Sequence, residues 1–191
     1  MAVRSHVVVL LGAESTGKTC LAQDVCAALV AEGRDAAVVP EYLREFCDAQ
    51  GRTPLPGEQA GIADVQATRI AAAAERHAIV IADTSALMTA VYSDLFFGDT
   101  SLYPSALDLH QDSDATLLTG LDLPWQADGI QRSGPQSRLA VDARLRDVLG
   151  RLKTPYSVVH GTRHERVVSA LAVIRRVLAD LQTRGSRSPA L

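Results

Sequence analysis

The segment best suited to chemistry lies near the N-terminus, where Gly12–Thr19 has the sequence GAESTGKT. It matches the pattern GxxxxGKS/T in full. Glycines in this pattern let the backbone turn several N–H groups toward one point, and a helix that begins at the lysine adds its positive end. Such a P-loop binds a nucleoside triphosphate, with Lys18 on the β- and γ-phosphates and Thr19 on Mg²⁺. The residues expected around the nucleotide are Gly12, Glu14, Ser15, Thr16, Gly17, Lys18, Thr19 and Cys20.

The sequence around this segment favours phosphate binding over a glycine-rich turn that binds nothing. The apolar run Val7–Leu11, typical of a buried strand, leads directly into Gly12. A stretch with a helical pattern follows, from about Lys18 to Gly33. A P-loop needs a strand before it and a helix after it, and both are predicted here.

Two carboxylates follow predicted strands. Asp83 closes the run IVIA and is expected beside the P-loop, where a carboxylate supports Mg²⁺; it could also cap the next helix together with Ser85. Glu41 could accept or orient the proton of an acceptor hydroxyl, or simply be a first-turn residue favoured by the helix dipole. Tyr42 and Arg44 either line the same pocket or pack at the surface.

A long segment, Gly120–Arg138, carries the only tryptophan, Trp125, together with Asp128 and Arg132. Its arginines could close over the nucleotide and neutralise the charge of the transferring phosphoryl group, or could simply be solvated. Trp125 offers either a hydrophobic plug or a stacking surface for a ring.

Gly161 and Thr162 follow the last predicted strand. They are expected near the base of the nucleotide. The alternative is a plain turn into the last helix, with Thr162 as the N-cap and Glu165 three residues on.

Short apolar runs that alternate with helical segments position these residues. Runs of this kind indicate strands that are covered on both faces, and so a parallel sheet of about five strands in a three-layer α/β sandwich, the P-loop NTPase fold. The strands are predicted at Val7–Leu11, Ala36–Val39, Ile79–Ala82, Thr116–Thr119 and Tyr156–His160, and the helices at about Lys18–Gly33, Gly57–His77 and Arg163–Thr183. Ligands of such sheets bind at the carboxyl ends of the strands.

Length and composition set the outer limits. The 191 residues fit one domain, predicted at 1–183, with a disordered tail at 184–191. A net charge of −3 gives no support to nucleic-acid binding. No apolar run approaches the roughly 18 residues that span a bilayer, so we expect a cytoplasmic protein with no membrane partner. Homo-oligomerisation is left open. The cysteines form neither a disulfide frame nor a metal cluster; they are Cys20, Cys26 and Cys47.

Four segments, GAESTGKT, PEYLR, ADT and DLPWQADGIQR, together resemble the NadR-like P-loop ATPase/kinase domain of the ribosylnicotinamide kinase family. The resemblance extends from about Gly12 to Arg166 and implies that ATP phosphorylates nicotinamide riboside, giving nicotinamide mononucleotide and ADP. The positions that match the family's motifs are Glu41, Tyr42, Arg44, Asp83, Thr84, Trp125, Asp128 and Arg132. Ser85 stands where many relatives carry a second acid. The chain contains no adenylyltransferase domain, so a stand-alone kinase is expected.

The leading expectation is therefore an ATP- and Mg²⁺-dependent kinase of nicotinamide riboside or a related nucleoside, in which Lys18, Asp83 and Arg132 act on the phosphates. Either Glu41 or Asp128 positions the acceptor hydroxyl. Tyr42 or Trp125 could stack on the pyridinium cation. Two alternatives remain: a regulatory ATPase whose nucleotide state is sensed by a partner, and a kinase of another nucleoside. The choice between ATP and GTP is open, although no NKxD-type guanine motif is present.

Overall fold

The computed structural model describes residues 5–126, 135–151 and 154–185. Its strands are β1 (His6–Leu11), β2 (Ala36–Val39), β3 (Ile79–Asp83), β4 (Ala115–Thr119) and β5 (Ser157–Val159). Its helices are α1 (Lys18–Ala31), α2 (Tyr42–Gln50), α3 (Gln59–Ala74), α4 (Ala86–Phe97), α5 (Tyr103–Gln111), α6 (Pro135–Arg151) and α7 (Arg163–Gly185), with a 3-10 turn at Pro56–Glu58.

All strand pairs are parallel, in the order β2-β3-β1-β4-β5. The chain crosses from one side of β1 to the other between β3 and β4, so the end of β1 is the switch point of the sheet, where ligands of such folds bind. Leu10 pairs with Asp83 and Leu11 with Leu118. This register brings the ends of β3 and β4 to either side of the P-loop and confirms the predicted fold class.

The run VVVLL is apolar throughout because both faces of β1 are covered. Val8 and Leu10 pack with the apolar side chains of α1 and α7. Val9 and Leu11 pack on the opposite face with those of α4 and α6. Alternate residues of a strand point to opposite faces, so the continuous run contributes to two cores. Packing on both faces holds β1 in place and thereby positions the P-loop that follows it.

The structure adds helices that the sequence pattern did not reveal. Helix α4 has apolar residues on all sides, so no amphipathic period marks it. Helix α6 begins at Pro135, inside the segment predicted as one long loop, and makes Arg138 a helical residue. Helix α7 extends to Gly185, two residues past the predicted domain end at 183. Residues 186–191, the rest of the predicted tail, lie outside the described residues.

No helix in the described ranges is both long enough and apolar enough to cross a membrane. In the same ranges, no group of three or more His, Cys, Asp or Glu side chains is arranged to hold a metal ion. The three cysteines are free thiols.

His110, at the end of α5, is a buried histidine. Its side chain is 2% exposed and its Nε2 lies 3.1 Å from Thr116 Oγ1 on β4. Burial lowers the pKa of His110 to about 4, below its value of about 6.5 in an unfolded chain. The ring is therefore neutral in the fold, and its contribution to stability is present above pH 6.5 and is lost as the pH falls toward 4.

We expect the free energy of unfolding to fall by about 1 kcal/mol per pH unit between pH 6 and pH 4 because of this histidine. The variant His110→Gln, which cannot titrate there, should show a flatter dependence in urea denaturation. Equal slopes for the two proteins would show that His110 is not the responsible group.

Candidate active site

The P-loop is shaped by its own glycines and hydroxyls. Gly12 has a φ of 152°, and a Cβ at this position would lie 2.0 Å from Thr119 Oγ1 at the end of β4. Thr119 Oγ1 donates to Thr16 Oγ1 at 2.7 Å, and Thr16 Oγ1 donates to Ala13 O at 2.7 Å. Gly17 has a φ of 79°. Only glycine permits the close approach at residue 12, so the first glycine of the motif has a steric reason in this fold.

Lys18 is a nearly buried ammonium at the first position of α1. Its residue is 8% exposed, and Nζ donates to Gly12 O at 2.8 Å and Ala13 O at 3.2 Å. Within the described part of the chain, no carboxylate forms an ion pair with it. Gly17, the N-cap of α1, provides no side-chain acceptor, which leaves the first-turn amides without partners from the helix. Both features suit an anion at this point.

Asp83, the last residue of β3, is 1% exposed, and its Oδ1 has no hydrogen-bond partner among the described residues. The proposed capping role belongs to Ser85, which is the N-cap of α4 and whose Oγ accepts from Leu87 N at 3.3 Å. Thr84, between them, has a φ of 93°, a strained conformation for a β-branched residue. An orphaned buried carboxylate and backbone strain occur together beside the P-loop, as is common at functional sites.

A cavity of about 680 Å³ extends from the P-loop between α2 and α4. One wall consists of P-loop and first-turn residues, and the other of carboxylate, guanidinium, aromatic and aliphatic side chains. The lining residues are Glu14, Ser15, Thr16, Gly17, Lys18, Thr19, Cys20, Glu41, Leu43, Arg44, Cys47, Thr53, Pro54, Leu55, Gln59, Tyr92, Phe96, Phe97 and Val141. The cavity thus joins a phosphate-binding surface to a second surface large enough for another small molecule.

Glu41 and Arg44 reach this cavity, whereas Tyr42 does not line it. Glu41 is the N-cap of α2 but makes no capping bond with its side chain. The Tyr42 ring lies under the guanidinium of Arg69 on α3, and the guanidinium carbon is 4.7 Å from the centroid of the ring. Within the stretch PEYLR, the fold therefore turns the acid and the arginine toward the cavity and the tyrosine toward α3.

Tyr92 on α4 is a cavity residue that sequence reasoning missed. Its ring stacks on Phe96 at a centroid distance of 5.9 Å. Burial, aided by the nearby carboxylates of Glu41 and Glu14, raises the pKa of Tyr92 well above its usual range. The phenol therefore stays protonated and can donate a hydrogen bond. The i, i+4 spacing of Tyr92 and Phe96 was the available signal, but the apolar surroundings in the sequence obscured it.

The segment after β4 lies against the P-loop. Gln126 N donates to Ser15 Oγ at 2.8 Å. Trp125 is half-buried and does not line the cavity; its Nε1 is buried with no partner in the described ranges. Asp128 and Arg132, both expected in the site, lie outside the described residues.

Arg138, considered as a mobile loop arginine, is instead fixed on α6. It is 6% exposed and donates from Nη2 to Leu123 O at 2.8 Å. Burial, with Arg166 nearby, lowers the pKa of Arg138. This correction follows from the early start of α6, which packs the side chain under the segment that follows β4.

The turn after β5 has the geometry of a helix cap. Thr162 N donates to Glu165 Oε2 at 2.7 Å, and Glu165 N points back at Thr162 Oγ1 over 3.5 Å. Gly161 N donates to Asp122 Oδ2 at 2.6 Å. Both amides already have carboxylate acceptors, so a contact from Gly161 or Thr162 to a nucleotide base stays a prediction.

Comparisons with known proteins agree with this geometry. A family model described as an AAA domain matches residues 7–166. No curated protein matches the sequence significantly.

Similar folds occur among solved structures. The NadR protein in complex with NR is 23% identical with a TM-score of 0.65, over 88% of this chain and 51% of that chain. The NadR protein in complex with NAD and AMP-PNP is 22% identical with a TM-score of 0.72, over 91% of this chain and 50% of that chain. Thymidylate kinase from Ehrlichia chaffeensis is 15% identical with a TM-score of 0.67, over 89% of this chain and 98% of that chain.

The chain therefore spans about half the length of those NadR chains. At these identities the likeness establishes a P-loop kinase-like fold.

Proposed function

The chain belongs to the AAA domain family, and we propose that within it the protein is an ATP-dependent kinase that phosphorylates nicotinamide riboside to nicotinamide mononucleotide. One observation carries the proposal. A single cavity joins the P-loop, with its nearly buried Lys18, to a facing wall that contains Glu41 and Tyr92. A phosphoryl donor and a hydroxylated acceptor held on these two surfaces would meet at the end of the triphosphate.

The P-loop half would bind ATP. Lys18 Nζ would give up its hydrogen bonds to the carbonyls of Gly12 and Ala13 and donate instead to the β- and γ-phosphate oxygens. The amides of the first turn of α1 would also donate to the phosphates. Thr19 lines the cavity, whereas Asp83 ends β3, the strand next to β1, and does not line it. A hydroxyl and a carboxylate are oxygen donors that suit Mg²⁺, and Asp83 Oδ1 has no hydrogen-bond partner in the described ranges. The ion would neutralise charge on the phosphates.

The opposite wall would bind the acceptor. Glu41 lines the cavity, so we assign to it the orientation of the attacking hydroxyl and the acceptance of its proton. Tyr92, Phe96 and Phe97 would replace Tyr42 and Trp125 as the aromatic surface for the pyridinium ring. Arg44 would hydrogen-bond a polar group of the acceptor. Asp128 remains a proposed second contact to the acceptor.

Three further contacts complete the proposal. Arg132 would approach the transferring phosphoryl group, and Gly161 and Thr162 would lie near the base of ATP. All three contacts are predictions made from the sequence.

The likeness to thymidylate kinase, which extends over 98% of that chain, makes a kinase of another acceptor the second candidate. Among the described residues, the cations that line the cavity are Lys18 and Arg44. If Lys18 serves the ATP phosphates, Arg44 is the one remaining lining cation in the described part of the chain. This part of the cavity favours an uncharged or cationic nucleoside over a nucleoside monophosphate.

An acceptor panel tests the proposal. With ATP and Mg²⁺ present, we expect nicotinamide riboside to stimulate ADP release more than thymidine, adenosine or thymidine monophosphate do. Competition between acceptors would show whether they share the site. Preference for thymidine monophosphate would transfer the assignment to the second candidate, and no stimulation by any acceptor would contradict kinase function.

A further inference from the structure

Arg166, in the first turn of α7, is a buried arginine that contacts three separate loops. It is 3% exposed. Its Nη1 donates to Thr16 O in the P-loop at 2.6 Å, and its Nε donates to Gly161 O after β5 at 3.0 Å. Its Nη2 donates after β4, to Asp122 Oδ1 at 2.6 Å and Gly120 O at 3.3 Å. One guanidinium therefore joins the ends of β1, β4 and β5.

The contact with Thr16 O has a consequence for the next amide. A trans peptide is planar, and its C=O and N–H point in opposite directions. Holding Thr16 O toward Arg166 thus turns the N–H of Gly17 away from Arg166. Gly17 lines the cavity at the turn into α1, where the amides of a P-loop face phosphate.

The packing around this peptide leaves little space for a side chain at residue 17. A Cβ on Gly17 would lie 3.1 Å from Leu123 Cδ1 and 3.9 Å from Arg166 Nη1. Asp122 in turn holds the guanidinium and accepts the Gly161 amide at 2.6 Å. The two charged side chains form one clamp, in which Asp122 fixes Arg166 and Arg166 fixes the peptide.

We propose that Arg166 is a positioning residue that aims the Gly17 amide at the nucleotide phosphates, with Asp122 as its anchor. The proposal rests on nucleotide binding by the P-loop, and it assigns a role to a side chain that lines no part of the cavity. Preorganisation of this kind raises affinity because the amide needs no reorientation when the ligand binds.

Two other roles make different predictions. If Arg166 contributed only its positive charge, a lysine would serve nearly as well. If it only stabilised the fold, its loss would lower the melting temperature. Phosphate binding would then weaken no more than it does when another ion pair is removed. Arg163, three residues earlier on α7, supplies a comparison from a more exposed ion pair: its Nε and Nη2 donate to Asp24 on α1 at 2.5 and 2.6 Å, and it donates to no P-loop carbonyl among the described residues.

The test measures ADP binding by calorimetry in the presence of Mg²⁺ for the wild type and for Arg166→Ala, Arg166→Lys, Asp122→Asn and Arg163→Ala. We expect both Arg166 variants to bind ADP about tenfold more weakly, the effect of losing roughly one hydrogen bond to a charged group. The variant Asp122→Asn, which keeps the arginine but loosens it, should show a smaller loss. The variant Arg163→Ala should bind like the wild type.

A second measurement reports on the amide itself. In ¹⁵N-labelled wild-type protein and in Arg163→Ala, the Gly17 amide proton should move downfield when ADP is added, as expected of a hydrogen bond to phosphate. In the Arg166 variants and Asp122→Asn this shift should be reduced. Should Arg166→Ala fail to fold, Arg166→Lys and Asp122→Asn carry the test.

The proposal would be overturned if Arg166→Lys and Asp122→Asn bound ADP with wild-type affinity and their Gly17 amide proton moved downfield as far as in the wild type. An equal loss of affinity in Arg163→Ala would also overturn it. A wild-type protein that does not bind ADP at all would instead contradict the proposed function, on which this inference depends.

Discussion

Replacing Lys18 with alanine is expected to lower acceptor-dependent ADP release by roughly 10²–10³-fold, the usual effect of removing one cation or donor from a transition-state contact. The reason is the placement of Lys18, a residue 8% exposed whose Nζ donates, among the described residues, to the carbonyls of Gly12 and Ala13. No other lining cation lies in the described part of the P-loop, so nothing there can replace it.

The same environment predicts that the protein will remain folded. The variant loses two hydrogen bonds to carbonyls but also removes a desolvated charge that no described carboxylate neutralises. The melting temperature should therefore change by only a few degrees. The variant Lys18→Met, which keeps the apolar stem, separates charge from packing and should be equally inactive. Turnover near that of the wild type in either variant would remove Lys18 from the mechanism.

The second large effect is expected at Asp83. The change Asp83→Asn keeps the shape of the side chain but removes its charge, and we expect turnover to fall by roughly 10–100-fold and to require more Mg²⁺, as for a weakened metal environment. Turnover measured against Mg²⁺ concentration gives the result. Stability should hold or rise, because the carboxylate is 1% exposed and its Oδ1 has no partner in the described ranges.

A matched carboxylate at the opposite edge of the sheet provides the control. Asp114 precedes β4, and its Oδ2 accepts from Val7 N at 2.9 Å. The variant Asp114→Asn should affect stability and leave the Mg²⁺ dependence unchanged. Equal Mg²⁺ dependence in the wild type and Asp83→Asn would exclude Asp83 from the metal site.

The strands and the P-loop could be predicted because each is marked by a pattern in consecutive residues. A continuous apolar run can be a strand covered on both faces, so the runs that became β1 and β3 placed Gly12 and Asp83 at one edge of the sheet. The P-loop has its chemistry within eight consecutive residues, so its conformation follows from a local pattern. Helix α4 was missed because its apolar residues point in all directions, and Tyr92 was missed with it.

The remaining site residues depend on tertiary contacts that no local pattern reveals. Tyr42 and Arg44 were equal candidates in sequence, and the position of Arg69 on α3 separated them. Arg166 has acceptors at residues 16, 120, 122 and 161, which come from three different parts of the chain. A single arginine at a helix start carries no signal of such contacts, and only the folded sheet brings its partners together.

The most direct test of kinase function is the fate of the γ-phosphate. Protein is incubated with ATP labelled at the γ-position, Mg²⁺ and nicotinamide riboside, and the label is followed in nicotinamide mononucleotide and in inorganic phosphate. We predict that nearly all released label appears in the mononucleotide, in equal amount to ADP, and that Lys18→Ala transfers it roughly 10²–10³-fold more slowly. Label that appears only as inorganic phosphate, at a rate independent of nicotinamide riboside, would contradict the account and favour a regulatory ATPase.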